Sequence, residues 1–261
     1  MFKMELTRIS TRPIFWLLIL IGLVIGILPV LQMWPHEVSK DYYLFYPRSP
    51  YVSWMYLETP SIYYIYSLIF PLLASLAFSD AYAEDYNSGL IKGILTKVEK
   101  KKYLITRYFV NFFIGGFIAA FPLIVNYLGA MSAFPLIENN YFFGMTPVVS
   151  TSYWPELFYH SPLLYIIIRI LFIFLLGGML SSIGLALSTT TKNRYIVLVF
   201  PFLLFMGLDV LMPAIGEANF SLSFLFLWNY SGNWLLQIYL AVGIVSSFIW
   251  FYLVGMKNET I

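Results

Sequence analysis

The sequence predicts an all-α, polytopic membrane protein, and three observations carry that expectation. Of its 261 residues, 60% are hydrophobic and 11% charged, against about half and about a quarter in an ordinary soluble domain; the mean hydropathy is +0.79. Six windows stay apolar for about twenty residues, the length that carries a helix across a hydrocarbon core of about 30 Å. Lys and Arg are confined almost entirely to alternate connections between those windows, the pattern left by cationic loops that resist translocation. A soluble enzyme, a disordered tail and a fibrous chain are thereby excluded. Fifteen Lys and Arg against thirteen Asp and Glu give a charge of +2, too slight to call for a nucleic-acid partner. The chain has no cysteine, so disulfide and thiolate chemistry are excluded.

Taken in order, residues 1–12 read as a short interfacial helix in contact with lipid. Phe2, Leu6 and Ile9 share a face while Lys3, Arg8 and Arg12 stay available to water or lipid phosphates, and Pro13 then opens the first span at a position where proline is tolerated. Spans are predicted over 13–33, 61–79, 103–130, 162–190, 195–212 and 234–256. The first is longer than a signal-peptide core and no small-residue cleavage site follows it. The third and fourth exceed what a bilayer needs, which predicts tilt or a break. Twelve of the fifteen Lys and Arg lie before span one, between spans two and three or in the first turns of span three (Arg107), between four and five, or after six, so both termini are expected in the cytoplasm. The outer connections 34–60, 131–161 and 213–233 are rich in Trp, Tyr and Pro, and Trp54, Tyr56, Tyr153 and Trp154 are expected at headgroup depth. Residues 220–228 are too apolar for a solvated loop, which makes 213–233 a re-entrant or interfacial segment. No repeat or linker divides the chain, so 1–261 reads as a single transmembrane domain.

Besides Arg107 near the basic end of span three, two charges fall inside spans, Arg169 and Asp209, each costing about 2.5–3.5 kcal/mol at a helix centre. Spans four and five are antiparallel and joined by a short turn, so the two are expected to meet as an ion pair or to line a substrate pathway. Small residues mark close helix contacts: Gly22 with Gly26, Gly115 and Gly116 with Ala119 and Ala120, and Gly177 and Gly178 with Ser181 and Ser182. That spacing permits intramolecular packing or dimerisation and does not choose between them.

The connection 80–102 is the patterned one. Leu90, Ile91, Ile94, Leu95 and Val98 form one apolar stripe at helical spacing, with Lys92, Lys97 and Lys100 to Lys102 around it. Asp80, Glu84 and Asp85 precede the stripe, where negative charge suits a helix N-terminus. Such a helix lies on the membrane surface or docks into a groove of a cytoplasmic partner. Signatures of chemistry are missing: there is no GxxxxGK[ST] phosphate loop and no HExxH. The histidines His36 and His160 stand alone in outer loops, and the GMLSSIG run at 178–184 has no histidine in any span to serve as base, so helix packing explains it better than a serine nucleophile. No metal or cofactor is expected on this chain.

Together these features resemble the membrane permease subunits of type-two ABC exporters, over essentially the whole chain. The most specific part is an acidic residue, then glycine, an apolar stripe and a basic run leading into span three, matched here by Glu84, Gly89, Leu90 to Leu95 and Lys100 to Tyr103. The long first outer loop, 34–60, departs from the pattern. The resemblance implies a permease that is not itself catalytic, works with a second permease chain as homodimer or heterodimer, and is driven by a separate ABC ATPase subunit that binds ATP and Mg. It makes 80–102 a cytoplasmic coupling segment, with Glu84, Gly89, Leu90, Ile91, Ile94, Leu95 and Val98 as coupling residues and Lys192 and Arg194 on the other cytoplasmic turn. The cargo expected is amphipathic or hydrophobic, a peptide, lipid or drug, exported across a bacterial cytoplasmic membrane. A stand-alone channel or secondary carrier is the alternative.

Overall fold

The computed structural model describes residues 1–34, 49–58, 60–137, 148–227 and 234–258. Among them the secondary structure is helical: α1 Phe2–Thr11, α2 Pro13–Met33, α3 Met55–Glu58, α4 Ser61–Leu76, α5 Ala81–Asn87, α6 Leu90–Leu95, α7 Lys100–Ala133, α8 Pro155–His160, α9 Pro162–Leu187, α10 Arg194–Ala214, a 3-10 turn at Ala218–Phe220, α11 Leu222–Phe226 and α12 Leu235–Lys257. Six of these are long and apolar enough to cross a membrane, α4 being continued by the turn into α5. That is the pattern of a multi-pass membrane protein. Most of the first outer loop, with His36, Lys40 and Arg48, lies outside the described residues.

The bundle is built around α7, which packs most extensively on α9 and next on α2. Backbones approach closely where the small residues fall. A Cβ on Gly115 or Gly177 would overlap Ser181 or Ala119 respectively, one on Gly116 or Gly178 would press on the Phe174 or Phe112 carbonyl, and one on Gly22 or Gly26 would meet Phe121 or Val125 of α7. All six are used inside the chain, between α2, α7 and α9. Ser181 donates to Asn111 Oδ1 at 3.0 Å and lies 3.0 Å from the Ser79 hydroxyl, so it serves packing.

The 34 residues of α7 form one unbroken helix, about 51 Å long at 1.5 Å per residue, and the break expected of this span does not occur. Pro122 removes one backbone donor, and neighbouring side chains supply others: Tyr66 donates to the Ala119 carbonyl at 2.6 Å and Trp54 to that of Leu123 at 3.1 Å. Asn126 donates to the Gly26 carbonyl and accepts from the Met55 amide, tying α2 and α3 to α7. Trp54, Tyr56 and Tyr153 are buried in the core of the chain. Rings step inward from Trp54 through Tyr56, Tyr63, Tyr66 and Phe70 to Phe205, each pair of centroids 5.0–6.0 Å apart, a spacing at which edge and offset contacts are favourable.

Candidate functional site

Two clusters stand out, one at each end of the bundle. At the basic end, α1 presents Glu5, Arg8, Ile9 and Arg12 inward, at i, i+3, i+4 and i+7, while Phe2 and Leu6 stay exposed. The face turned to the bundle is thus largely ionic: Arg8 and Arg12, expected to stay available to water or lipid phosphates, are ion-paired, and of the apolar face only Ile9 enters the core, against Phe78, Ala81 and Val110.

Four carboxylates meet four guanidiniums there. Asp85 accepts from Arg8 at 2.5 Å, from Tyr103 at 2.7 Å and from Arg107. Arg107, fully buried on α7, also holds Glu5 at 2.5 Å. Asp80 accepts from Arg12 at 2.8 Å and from Arg194 at 2.5 Å, and Glu84 pairs with Arg12 and, at 3.8 Å, with Arg194. Burial outweighs the arginines at Glu5 and holds its carboxyl above the usual carboxylate range. The knot joins α1, α5, α7 and the start of α10. Sequence reasoning gave the acidic run a helix-dipole role, and Glu84 a coupling role through the resemblance, but not the ion pairs, because their partners lie on three other elements.

Lys192, on the turn between α9 and α10, sits 4.2 Å from the Tyr86 ring centre and 4.8 Å from that of Tyr82, and donates to the Ser188 and Thr189 carbonyls at the end of α9. Burial lowers its pKa to about 8. Lys100 closes α12 in the same way, donating to the Met256 and Asn258 carbonyls at 3.0 and 2.6 Å. Every basic-end connection is thereby fastened to the α5–α6 segment or to its neighbour.

The stripe of 90–98 splits. Gly89, at φ +72°, provides the left-handed turn between α5 and α6. Ile91 and Ile94 are buried with Tyr82, Tyr103, Leu104, Tyr108 and Phe251, and Leu95 and Val98 pack partly on that cluster. Leu90 is 52% exposed. It shares the outer surface with Lys92, Gly93, Thr96 and Lys97. Helix α6 ends at Leu95, short of the 90–98 expected, because most of its apolar side is spent on this body.

At the opposite end, Arg169 and Asp209 do not pair. Asp209 accepts from the Ser221 hydroxyl at 2.7 Å and from the Ser223 amide at 2.9 Å, at the start of α11. Arg169 donates to the Phe226 carbonyl at 3.3 Å, at the end of α11. Tyr56 and Tyr63 donate to the Phe226 and Leu227 carbonyls beside it, at 3.2 and 2.6 Å. Each charge complements the end of α11 that its sign suits. The sequence placed both charges at similar depth but gave no means of seeing that a short helix stands between them.

Among the described residues no group of three or more His, Asp or Glu is placed to hold a metal ion. In comparisons with known proteins, no family model matches the chain, and no curated protein and no solved structure is similar to it.

Proposed function

We propose that the chain is the membrane permease subunit of an ATP-driven exporter of the type-two ABC architecture, with its basic end in the cytoplasm. The observation that carries this reading is the state of the α5–α6 segment. A coupling element must be rigidly joined to the helices it moves, and it must leave part of itself free for the subunit that pushes it. Three ion-paired carboxylates, Asp80, Glu84 and Asp85, and the Ile91 and Ile94 anchors supply the first property, and the exposed Leu90, Lys92, Gly93 and Lys97 surface supplies the second.

In this reading a separate ABC ATPase binds ATP and Mg and closes on itself. The closure reaches the exposed face of α6, and the ionic knot passes it as a rigid-body displacement to α1, α7 and α10. Lys192 and Arg194 follow because they are bound to α5. A second permease chain completes the pathway, and lipid surrounds the exposed apolar faces of α2, α10 and α12. Few buried charges and many aromatics suit an amphipathic or hydrophobic cargo.

The test uses the exposed face alone. A Cβ at Gly93 meets nothing within 4 Å, so Gly93→Trp and Leu90→Asp leave the fold intact, whereas Ile94→Asp strikes the buried cluster and is uninformative. Both surface variants are expected to remain folded in detergent and to lose ATPase co-purification by roughly tenfold or more, as for substitution of a central interface residue. Full retention of a co-purifying ATPase by both variants overturns the assignment of α6.

A further inference from the structure

Arg169 lacks what every arginine of the basic-end knot has, a carboxylate. It is 1% exposed, about two turns into α9, and among the described residues no acid lies within ion-pair distance, Asp209 being engaged by Ser221 and Ser223. Its guanidinium carbon lies 4.7 Å from the Tyr56 ring centre and 5.0 Å from that of Tyr153. Its long bond to the Phe226 carbonyl uses Nη2, while Nε and Nη1 are buried without a partner. A guanidinium in a low-dielectric site with two unused donors is an incomplete arrangement.

Two further features lie beside it, about one turn of α9 away, at a cavity that Arg169, Tyr56 and Tyr153 do not themselves line. Trp154, next to Tyr153, is the only non-glycine residue with positive φ among the described residues, at +46°, and backbone strain of that kind collects at ligand sites. Its ring stacks at 5.6 Å on Phe172, one turn of α9 beyond Arg169. With Pro155, Glu156, Leu157 and His160 it lines a mainly apolar cavity of about 550 Å³, within the range of small-molecule sites. The Glu156 carboxylate on that wall disfavours an acid in the cavity itself and assigns the acid to the Arg169 end.

We propose that Arg169, between Tyr56 and Tyr153, receives the carboxylate or phosphate headgroup of an amphipathic molecule whose apolar chain occupies the Trp154 cavity. Either edge of the guanidinium offers two parallel donors to such a group once Nη2 leaves the Phe226 carbonyl. Binding therefore frees the Phe226 carbonyl from Arg169, while Tyr56 and Tyr63 still donate to the end of α11. That the molecule is exported cargo rests on the permease reading; that it binds does not.

The test is thermal unfolding of the purified full chain in a non-ionic detergent with dodecanoate, dodecyl phosphate or dodecanol, since a ligand selective for the folded state raises the midpoint with its affinity. At least one acid is expected to bind roughly tenfold more tightly than the alcohol, as a charge-assisted contact allows; the stronger acid identifies the headgroup. Arg169→Gln is expected to abolish that excess while leaving the response to dodecanol within about twofold. Equal responses to both acids and the alcohol overturn the proposal, and this comparison needs only the unaltered chain. An excess that survives in Arg169→Gln overturns it too. No ATPase is present, so a negative result leaves the permease reading standing, and failure of ATPase co-purification leaves a positive binding result standing.

Discussion

At the scale of single residues, the basic positions divide by chemistry. Arg8, Arg12, Arg107 and Arg194 are paired to carboxylates, whereas Lys3, Lys92, Lys97, Lys101 and Lys102 stay exposed. The planar guanidinium can serve two carboxylates at once and loses less hydration on burial than an ammonium. Removing one partner of a buried pair leaves the other charge stranded, so Asp85→Ala is expected to cost about 3–5 kcal/mol, measured by unfolding in detergent; a cost below about 1 kcal/mol contradicts a buried knot. Lys192 gives a second test. Its pKa near 8 lies below the ordinary 10.5, so between those values the folded chain binds fewer protons than the unfolded one and stability rises with pH. Lys192→Met should flatten the rise in midpoint between pH 8 and 10. Neither the division nor the pairings were legible in the sequence, where Lys3, Arg8 and Arg12 read alike, because most of the paired charges lie 68 to 114 residues apart and carry no local signal.

At the scale of elements, α11 is held by opposite charges at its two ends, Asp209 at the first turn and Arg169 at the last. Asp209→Asn keeps the shape but weakens the cap, and a loss of about 0.5–2 kcal/mol is expected, with faster hydrogen exchange confined to 221–227; protection unchanged there would show that the cap does not hold the element. The apolar segment 220–228 was readable from composition, and so was the spacing of the small residues. What spacing could not decide was whether Gly115 and Gly177 face each other or a second chain, since one pattern serves both. The structure turns them inward, and Gly177→Leu is therefore expected to cost about 1–3 kcal/mol through overpacking, independently of protein concentration. A concentration-dependent loss would place the contact between chains. The stripe of α6 misled for a related reason: periodicity reports that a face is apolar, and Ile91 and Ile94 cover Tyr103 and Leu104 of the chain's own α7 before any partner is met.

At the scale of the whole molecule, six long apolar helices were legible because twenty-residue hydropathy is a bulk signal that short-range context does not overturn. Element boundaries moved by a few residues; span two gave way to a turn at 77–80 and span three grew by a turn at its basic end. The arrangement that results is asymmetric. One end ties α1, α7 and the start of α10 to α5 through charge, and the other suspends α11 between the part-buried Asp209 and the buried Arg169. Under the proposed permease reading, this asymmetry lets the basic end be displaced as a unit while the far end stays separately held. The most direct measurement is to express the chain from its native locus, purify it in mild detergent, identify what accompanies it and assay ATP hydrolysis. A soluble ATPase recovered with the chain, with vanadate-sensitive hydrolysis that Leu90→Asp abolishes, is the predicted result. A lone oligomer without nucleotide hydrolysis would contradict the account and favour a channel or secondary carrier.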